Sequence, residues 1–306
     1  MFLPYLVVLP IFVLLLATWT GIWDIRPYMP TSPRQVIFLA VIFENPHIVA
    51  STLMWLDKEY IQYYRQKLIV SILVSAVLCI TVALIFGMSG FLLFLYGWTV
   101  AHVIRQQIGI GRMMNRQPSK LYEAWAWMVL ISSLLVAITL GHPELHIKGS
   151  YVTLLDTALT VSIVISCITA AVLVSRIKRH EGKLYILANS IMLVATAACA
   201  VSGYPFFAIL IPRAIHDITA YIIYTNHDIN RNTPLPHNVI YRYTAAYFPI
   251  ALICILVSMA LASWVTFTPT YFATYFAAAL AIFHYTSESF VWKSNGIHRK
   301  SLHFAT

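Results

Sequence analysis

The stretch LIVSILVSAVLCITVALIF, residues 68–86, carries no charged side chain and is long enough to cross the hydrocarbon of a bilayer as a helix. A second apolar stretch, 88–111, follows directly after Gly87, and so short a connection is typical of an antiparallel helical hairpin. Eight similar stretches flank this pair, at 3–22, 35–56, 121–141, 152–175, 184–203, 205–227, 244–267 and 271–292. We therefore predict an all-α, polytopic integral membrane bundle of about ten transmembrane helices.

The composition excludes an ordinary soluble domain. The chain has 306 residues, of which 60% are hydrophobic and 10% are charged, whereas a soluble domain carries roughly a quarter charged residues. The net charge of +9 would suggest a nucleic-acid partner in a soluble protein. Here the basic residues lie in short loops between apolar stretches, so they indicate topology and contacts with lipid headgroups, and no nucleic acid is expected. We predict a single transmembrane domain, residues 1–306.

The basic residues also predict an orientation. With ten helices, fifteen Lys and Arg residues fall in the C-terminal tail and the loops after helices two, four, six and eight, and three fall on the other side. Positive charge collects on the cytoplasmic side of membrane proteins. We therefore expect both termini in the cytoplasm, with the protein in the inner membrane of a bacterium as a multi-pass protein.

Four histidines lie inside predicted transmembrane helices, namely His47, His102, His216 and His284 in helices two, four, eight and ten. Each precedes the predicted cytoplasmic end of its helix by nine to eleven residues, which is roughly 13–17 Å at about 1.5 Å per residue. Ionisable side chains in a membrane helix are costly and mark functional sites. A shared depth therefore predicts that these four histidines form one site.

Acidic side chains accompany two of these histidines at helical spacing. Glu44 precedes His47 by three residues, which is the ligand motif of di-iron carboxylate bundles, and Glu288 follows His284 by four. Imidazole and carboxylate ligands favour iron, manganese or zinc. We predict one or two iron ions bound by His47, His102, His216 and His284, with Glu44, Glu288 or His227 completing one or two coordination spheres.

Other polar side chains lie beside the predicted ligands. Gln106, Asp217 and Tyr285 are adjacent to a core histidine or one helical turn from it, where a side chain can orient a metal-bound imidazole. With Glu44, they are the residues that we predict to act in catalysis. Arg105 and Arg213 also lie inside predicted helices, and two alternatives stay open for them: ion pairs with buried acids, or contact with a carboxylate or phosphate of a substrate.

The motifs Asn45-Pro46-His47, His102-Val-Ile-Arg-Gln106, Pro212-Arg-Ala-Ile-His216-Asp217 and His284-Tyr-Thr-Ser-Glu288 carry a family resemblance. They are similar to motifs of membrane-embedded, histidine-rich non-haem iron oxygenases, chiefly the bacteriorhodopsin-related enzymes that cleave β-carotene and, more distantly, fatty-acyl desaturases and hydroxylases. The desaturase boxes HxxxH and HxxHH are absent from the predicted cytoplasmic face. The resemblance implies an oxygenase with iron as cofactor and O2 as cosubstrate.

The resemblance also implies an apolar substrate, a lipid or an isoprenoid of the carotenoid type, which reaches the site from the surrounding membrane lipids. An external electron donor is a further expected partner. Two other functions stay open. The same histidines and acids suit the proton relay of a membrane transporter, and facing histidines suit the axial ligation of haem in an electron carrier.

Overall fold

The computed structural model describes residues 8–30, 45–115, 119–141, 149–243, 250–267, 271–293 and 296–302. These ranges are helical and contain no β-strand, which confirms the predicted all-α class. Each predicted apolar stretch contains helix in its described part. The helices are α1 Val8–Trp19, α2 Asn45–Leu53, α3 Lys58–Asn115, α4 Lys120–Gly141, α5 Gly149–Arg176, α6 His180–Val201, α7 Pro205–Asn232, α8 Val239–Tyr243, α9 Ile250–Phe267 and α10 Tyr271–Val291. Short 3-10 turns lie at Arg26–Tyr28, Met54–Leu56 and Ile297–Ser301.

Five of the described helical segments are long and apolar enough to cross a membrane: Lys58–Gly87, Lys120–Leu140, Gly149–Arg176, His180–Val201 and Pro205–Asn232. Their large apolar side chains also face outwards. Val77 and Leu84, for example, are 61% and 80% exposed. Exposed apolar side chains along a helix whose backbone hydrogen bonds are satisfied internally are what a lipid environment requires. The chain is therefore an integral membrane protein.

Glycines interrupt the helices at two turns. Gly87 divides α3, since its φ of 64° and ψ of −171° are not helical. Gly203 follows the end of α6 with a φ of 79°, a left-handed conformation that glycine adopts without the steric cost other residues meet. The backbone N–H of Tyr204 then donates to the Cys199 carbonyl at 2.8 Å and closes α6. Pro205 starts α7, where its missing N–H costs nothing.

The chain forms two compact units. Unit 1 consists of Met1–Pro30 and Tyr96–His216, and unit 2 consists of Thr31–Leu95 and Asp217–Thr306. In unit 1, helices α4, α5 and α6 pack on one another. Its core includes Trp125, Ile186 and Met192, all of which are almost completely buried. The prediction of a single domain over 1–306 stays a prediction.

Unit 2 has its own core around the short helix α2, which packs against α9 and α10. Ala50 of α2 and Met54 of the 3-10 turn that follows it are each 1% exposed and pack with Cys254 and Val291 in one apolar cluster. The polar residues of α2 are therefore held inside unit 2 by the apolar contacts of the same helix. This placement positions His47, which is also buried.

Small polar side chains join α4 to α5 inside unit 1. The Ser132 hydroxyl lies 3.0 Å from the Ser162 hydroxyl and 3.2 Å from that of Ser166, and all three residues are buried. Small residues let membrane helices approach closely, and hydrogen bonds between such helices contribute about 0.6 kcal/mol on average. This serine cluster thus fixes the packing of the two helices at short range.

We predict that Ser166→Leu destabilises unit 1. A leucine in this tightly packed place forces the helices apart, so the free energy of unfolding falls by about 1–3 kcal/mol. Thermal unfolding of the purified protein in detergent measures the change. The control is Ser175→Leu on the same helix, where the side chain is exposed and bonds only its own helix, to the Val172 carbonyl. Equal melting temperatures for the two variants would contradict the serine cluster as a packing contact.

Candidate metal centre

Helix α2 presents two polar side chains to the interior of unit 2. Pro46 lies in its first turn, where a proline does not interrupt helical hydrogen bonds, and His47 follows it. Ser51 lies four residues later, on the same face as His47. Both His47 and Ser51 are 1% exposed. The helix therefore brings an imidazole and a hydroxyl together away from solvent.

A carboxylate from α7 reaches His47. The Nδ1 atom of His47 lies 3.3 Å from Oδ1 of Asp217, and both side chains are buried. A buried charge is costly unless it is paired, hydrogen-bonded or bound to a metal. The His47–Asp217 pair thus brings one imidazole and one carboxylate together in unit 2. The spacing of these residues in the sequence did not predict this contact.

His284 of α10 completes a histidine pair with His47. The two ring centroids lie 5.0 Å apart with the rings at 72°. The Nδ1 atom of His284 is 2.7 Å from the hydroxyl of Ser51, whose own proton points to the Ile48 carbonyl at 2.7 Å. Because a serine hydroxyl has one proton, His284 is the donor from Nδ1 in this arrangement. The lone pair of the neutral imidazole is then on Nε2, the form in which histidine binds a metal.

Glu288 lies one helical turn after His284, with its Oε1 atom 4.0 Å from the Nε2 atom of that residue. The same oxygen accepts hydrogen bonds from the Tyr224 hydroxyl and from Nε1 of Trp292, the latter at 3.4 Å. Tyr224 is fully buried, and Glu288 is 7% exposed. Two donors to one oxygen hold the carboxylate in place.

Two pairs of side chains that could ligate a metal thus lie in unit 2: His47 with Asp217, and His284 with Glu288. The two pairs meet through the contact between the histidine rings. Imidazole and carboxylate together suit iron, manganese or zinc. Asp217 was predicted as a catalytic residue, but its distance from His47 makes it a candidate ligand as well. We refer to these four residues as the His–carboxylate cluster.

His102 and His216 form a histidine pair within unit 1. Their ring centroids lie 5.2 Å apart with the rings at 82°. His216 is 2% exposed, and His102 is half-buried. Gln106 is half-buried one turn after His102, and the neighbouring Gln107 accepts a hydrogen bond from the Tyr185 hydroxyl. The structure thus brings two of the predicted histidines together here, and their role as iron ligands stays a prediction.

His227 belongs to a second polar group of unit 2, in the last turns of α7. Its Nε2 atom is 3.0 Å from the Tyr60 hydroxyl, and its Nδ1 atom is 3.2 Å from Oδ1 of Asp228. The ring of His298, in the turn Ile297–Ser301, stacks on the His227 ring with the centroids 5.1 Å apart, and its centroid lies 3.7 Å from that of the tilted Tyr60 ring. The three-membered chain Tyr60–His227–Asp228 has the form of a proton relay, since each member can donate or accept a proton.

The end of α7 is held to unit 2 by charge. Arg231 donates from Nε to Asp57 at 2.9 Å, forms an ion pair with Glu59, and lies over the Tyr60 ring with its guanidinium carbon 4.7 Å from the ring centroid. Asn232 accepts hydrogen bonds from two backbone N–H groups of the following turn, those of residues 237 and 238. The relay residues therefore lie on a fixed segment.

Glu44 and Tyr285 are the remaining residues that the sequence predicted for the site. Glu44 lies outside the described residues. Tyr285 is 7% exposed, and its ring lies 5.5 Å from that of His284, as expected for neighbours in sequence. Sequence reasoning missed Ser51 and Tyr224, which fix the His–carboxylate cluster. Ser51 had a detectable signal, since it follows His47 by one helical turn on the same face.

No family model, no curated protein and no solved structure matches this chain. The function therefore has to be argued from the side chains themselves.

The burial of His298 predicts a pH-dependent stability. Removal from water lowers the pKa of His298 from 6.5 to about 2, and electrostatic interactions with His227 and Arg231 act in the same direction. The folded protein therefore keeps His298 neutral, whereas the unfolded chain takes up a proton below pH 6.5. Stability should fall by about 1.4 kcal/mol per pH unit as the pH drops from 6.5 towards 2.

Thermal unfolding between pH 7 and pH 5 tests this linkage. His298→Phe keeps a flat buried ring without a titrating nitrogen, so its melting temperature should fall less on acidification than that of the unsubstituted protein. His237→Phe, at an exposed position, serves as the control. If His298→Phe and the unsubstituted protein lose the same stability over this range, the linkage is wrong.

Proposed function

We propose that this protein is a membrane-embedded non-haem iron oxygenase acting on a lipid or isoprenoid substrate of low polarity. The observation that carries the proposal is the His–carboxylate cluster, in which two imidazoles and two carboxylates are buried together inside unit 2. A plain structural role explains this set poorly, because burying four ionisable side chains together costs free energy that an apolar core avoids.

The donor set fits iron on chemical grounds. Two histidines with one or two carboxylates are the ligands of many non-haem iron oxygenases. The described cysteines, Cys79, Cys167, Cys199 and Cys254, are dispersed along the sequence and offer no paired thiolates that would select a softer metal. The hydrogen bond of His284 to Ser51 also supports a ligand role, since a bonded second nitrogen is the usual companion of a metal-binding imidazole.

Iron bound by these residues would supply the activation of dioxygen. The chain's own side chains then have separate tasks. Ser51 keeps the Nε2 lone pair of His284 available, and Tyr224 holds the carboxylate of Glu288. The burial of the His–carboxylate cluster excludes water, which protects reactive species from side reactions. An external electron donor and the membrane lipids complete the set of partners that we propose.

We also propose that all ten apolar stretches cross the membrane, with both termini in the cytoplasm of a bacterium and the protein in its inner membrane. The helical conformation of the described part of each stretch supports the ten spans. The excess of Lys and Arg in alternate loops supports the orientation.

Reporter fusions test this topology. Green fluorescent protein attached after Thr306, or inserted between α3 and α4 at 116–119, should fluoresce, because we place both sites in the cytoplasm. Alkaline phosphatase, which is active only outside the cytoplasm, should be active when inserted at 142–148. Phosphatase activity after Thr306 would mean that the number of spans is odd or the orientation reversed.

A second candidate function is a proton-coupled transporter. The observation that favours it is the hydrogen-bonded chain Tyr60–His227–Asp228, together with the hydrogen bond of Tyr224 to Glu288. Buried relays of this kind carry protons in pumps and transporters. An iron oxygenase requires metal bound at the His–carboxylate cluster, whereas a proton relay does not. The metal content of the purified protein therefore separates the two functions.

The test of the oxygenase proposal is the metal content of the detergent-purified protein, read with its optical spectrum. We expect one or two iron atoms per chain and no haem Soret band. His284→Ala should lose most of the iron, whereas His237→Ala, at an exposed position, should retain it. Ser51→Ala keeps every ligand but removes the partner of His284, so its iron affinity should fall by about 10- to 100-fold.

The Ser51 variant separates a metal site from a merely structural cluster, because a small change far from the protein surface alters metal affinity only if His284 is a ligand. Full iron occupancy in His284→Ala would exclude this residue as a ligand. A protein without metal after loading with iron, manganese and zinc would favour the transporter, and proton flux into proteoliposomes would then be measured.

A further inference from the structure

Unit 1 contains a pocket of about 140 Å³ within helices α3, α4, α6 and α7. Most of its wall is apolar, with Val100, Val103, Leu193 and Ile209 among the lining side chains. No residue of the His–carboxylate cluster lines it. The pocket is thus a feature of its own, and its chemistry follows from the polar groups that interrupt the apolar wall.

Arg213 is the one charged side chain among the described residues that line this pocket. Four hydroxyl groups accompany it, from Tyr96, Thr99, Ser133 and Thr196. In the described structure the Oγ1 atom of Thr196 is buried and has no hydrogen-bond partner. A buried hydroxyl in that state costs free energy, so it indicates that a polar group of a ligand belongs there.

We propose that this pocket binds the carboxylate end of a long-chain amphiphile, such as a fatty acid or an isoprenoid acid. The guanidinium of Arg213 faces the carboxylate, to which arginine can donate two parallel hydrogen bonds. The hydroxyl of Thr196 donates a further hydrogen bond to the same head group. The first methylene groups of the ligand contact Val100, Val103 and Leu193.

The size of the pocket favours a carboxylate over a phosphate ester. A cavity of about 150 Å³ accommodates a molecule the size of benzene. A carboxylate with three or four carbons fits that space, whereas a phosphoglycerol head group does not. A phosphate monoester also carries a charge of about −1.5 to −2 at neutral pH. Such a charge is costlier to bury in an apolar pocket than the single charge of a carboxylate.

The remaining chain of the ligand has a route to the bilayer. Ile209 lines the pocket and is also 41% exposed, so the pocket reaches the outer surface of α7. Surface side chains of a transmembrane helix contact lipid. The head group enters from the membrane side, and the acyl or isoprenoid tail stays among the lipids, which explains how a pocket of this size binds a long molecule.

Radiolabelled palmitate tests the proposal on the full-length protein in nanodiscs of phosphatidylcholine, with binding read by scintillation proximity. We expect saturable binding that hexadecanol and hexadecyl phosphate compete for at least about tenfold less well than palmitate. Arg213→Gln should weaken palmitate binding by about 10- to 100-fold. Arg105→Gln, an exposed arginine of the same unit that does not line the pocket, should leave it unchanged.

Two further variants keep the test decisive if Arg213→Gln folds poorly. Thr196→Val preserves the shape of the side chain and should weaken palmitate binding several-fold. Ala208→Phe fills the pocket and should abolish binding with Arg213 in place, since Ala208 is a buried lining residue. Melting temperatures confirm that each variant is folded.

The proposal fails if palmitate binding is not saturable, or if Arg213→Gln and Arg105→Gln affect it equally. Equal competition by hexadecanol would mean that the pocket takes apolar chains without regard to charge. Tighter binding of hexadecyl phosphate than of palmitate would mean that the pocket binds a phosphate, which would overturn the proposal of a carboxylate ligand. Because the assay needs neither iron nor turnover, its outcome is independent of the proposed oxygenase function.

Discussion

The cost of placing an ionisable side chain inside a membrane helix is the constraint on which this structure depends. Such a side chain is retained only with a partner or a ligand. In unit 2 each ionisable member of the His–carboxylate cluster has a polar neighbour from a different helix or from the next turn: Asp217 beside His47, Ser51 beside His284, and Tyr224 beside Glu288. Helix α2, which supplies His47 and Ser51, is held by its apolar contacts with α9 and α10.

The helices could be predicted from the sequence because a membrane span needs a long apolar run, and such runs are visible without knowledge of the fold. The residues at which the helices begin and end were harder to predict from the sequence. Helix α7 continues past the predicted end at residue 227 to Asn232, since Arg231 and Asn232 are anchored by Asp57 and by the next turn. The apolar run shows where a helix is embedded, and polar contacts with distant residues determine where it ends.

The site was predictable only as far as helical spacing reaches. His284 and Glu288 lie one turn apart on one helix, and their proximity follows from the sequence. The contact of Ser51 with His284 joins residues 233 positions apart, and that of Tyr224 with Glu288 joins residues 64 apart. Both depend on how helices pack. His298 is a further case, since it lies in a polar tail segment and is nevertheless fully buried against Tyr60.

The His–carboxylate cluster of unit 2 and the pocket of unit 1 differ in the sign of the charge that they carry, and this difference argues for different ligands. The cluster in unit 2 offers lone pairs from two imidazoles and the negative charge of two carboxylates, an arrangement that attracts a cation. The pocket in unit 1 offers the guanidinium of Arg213 and the hydroxyl of Thr196, which suit the anionic head group proposed above. In an interior of low dielectric constant neither set tolerates the wrong charge, because electrostatic interactions are strong there and water cannot screen them. A metal ion and a carboxylate would each find its complement within one unit.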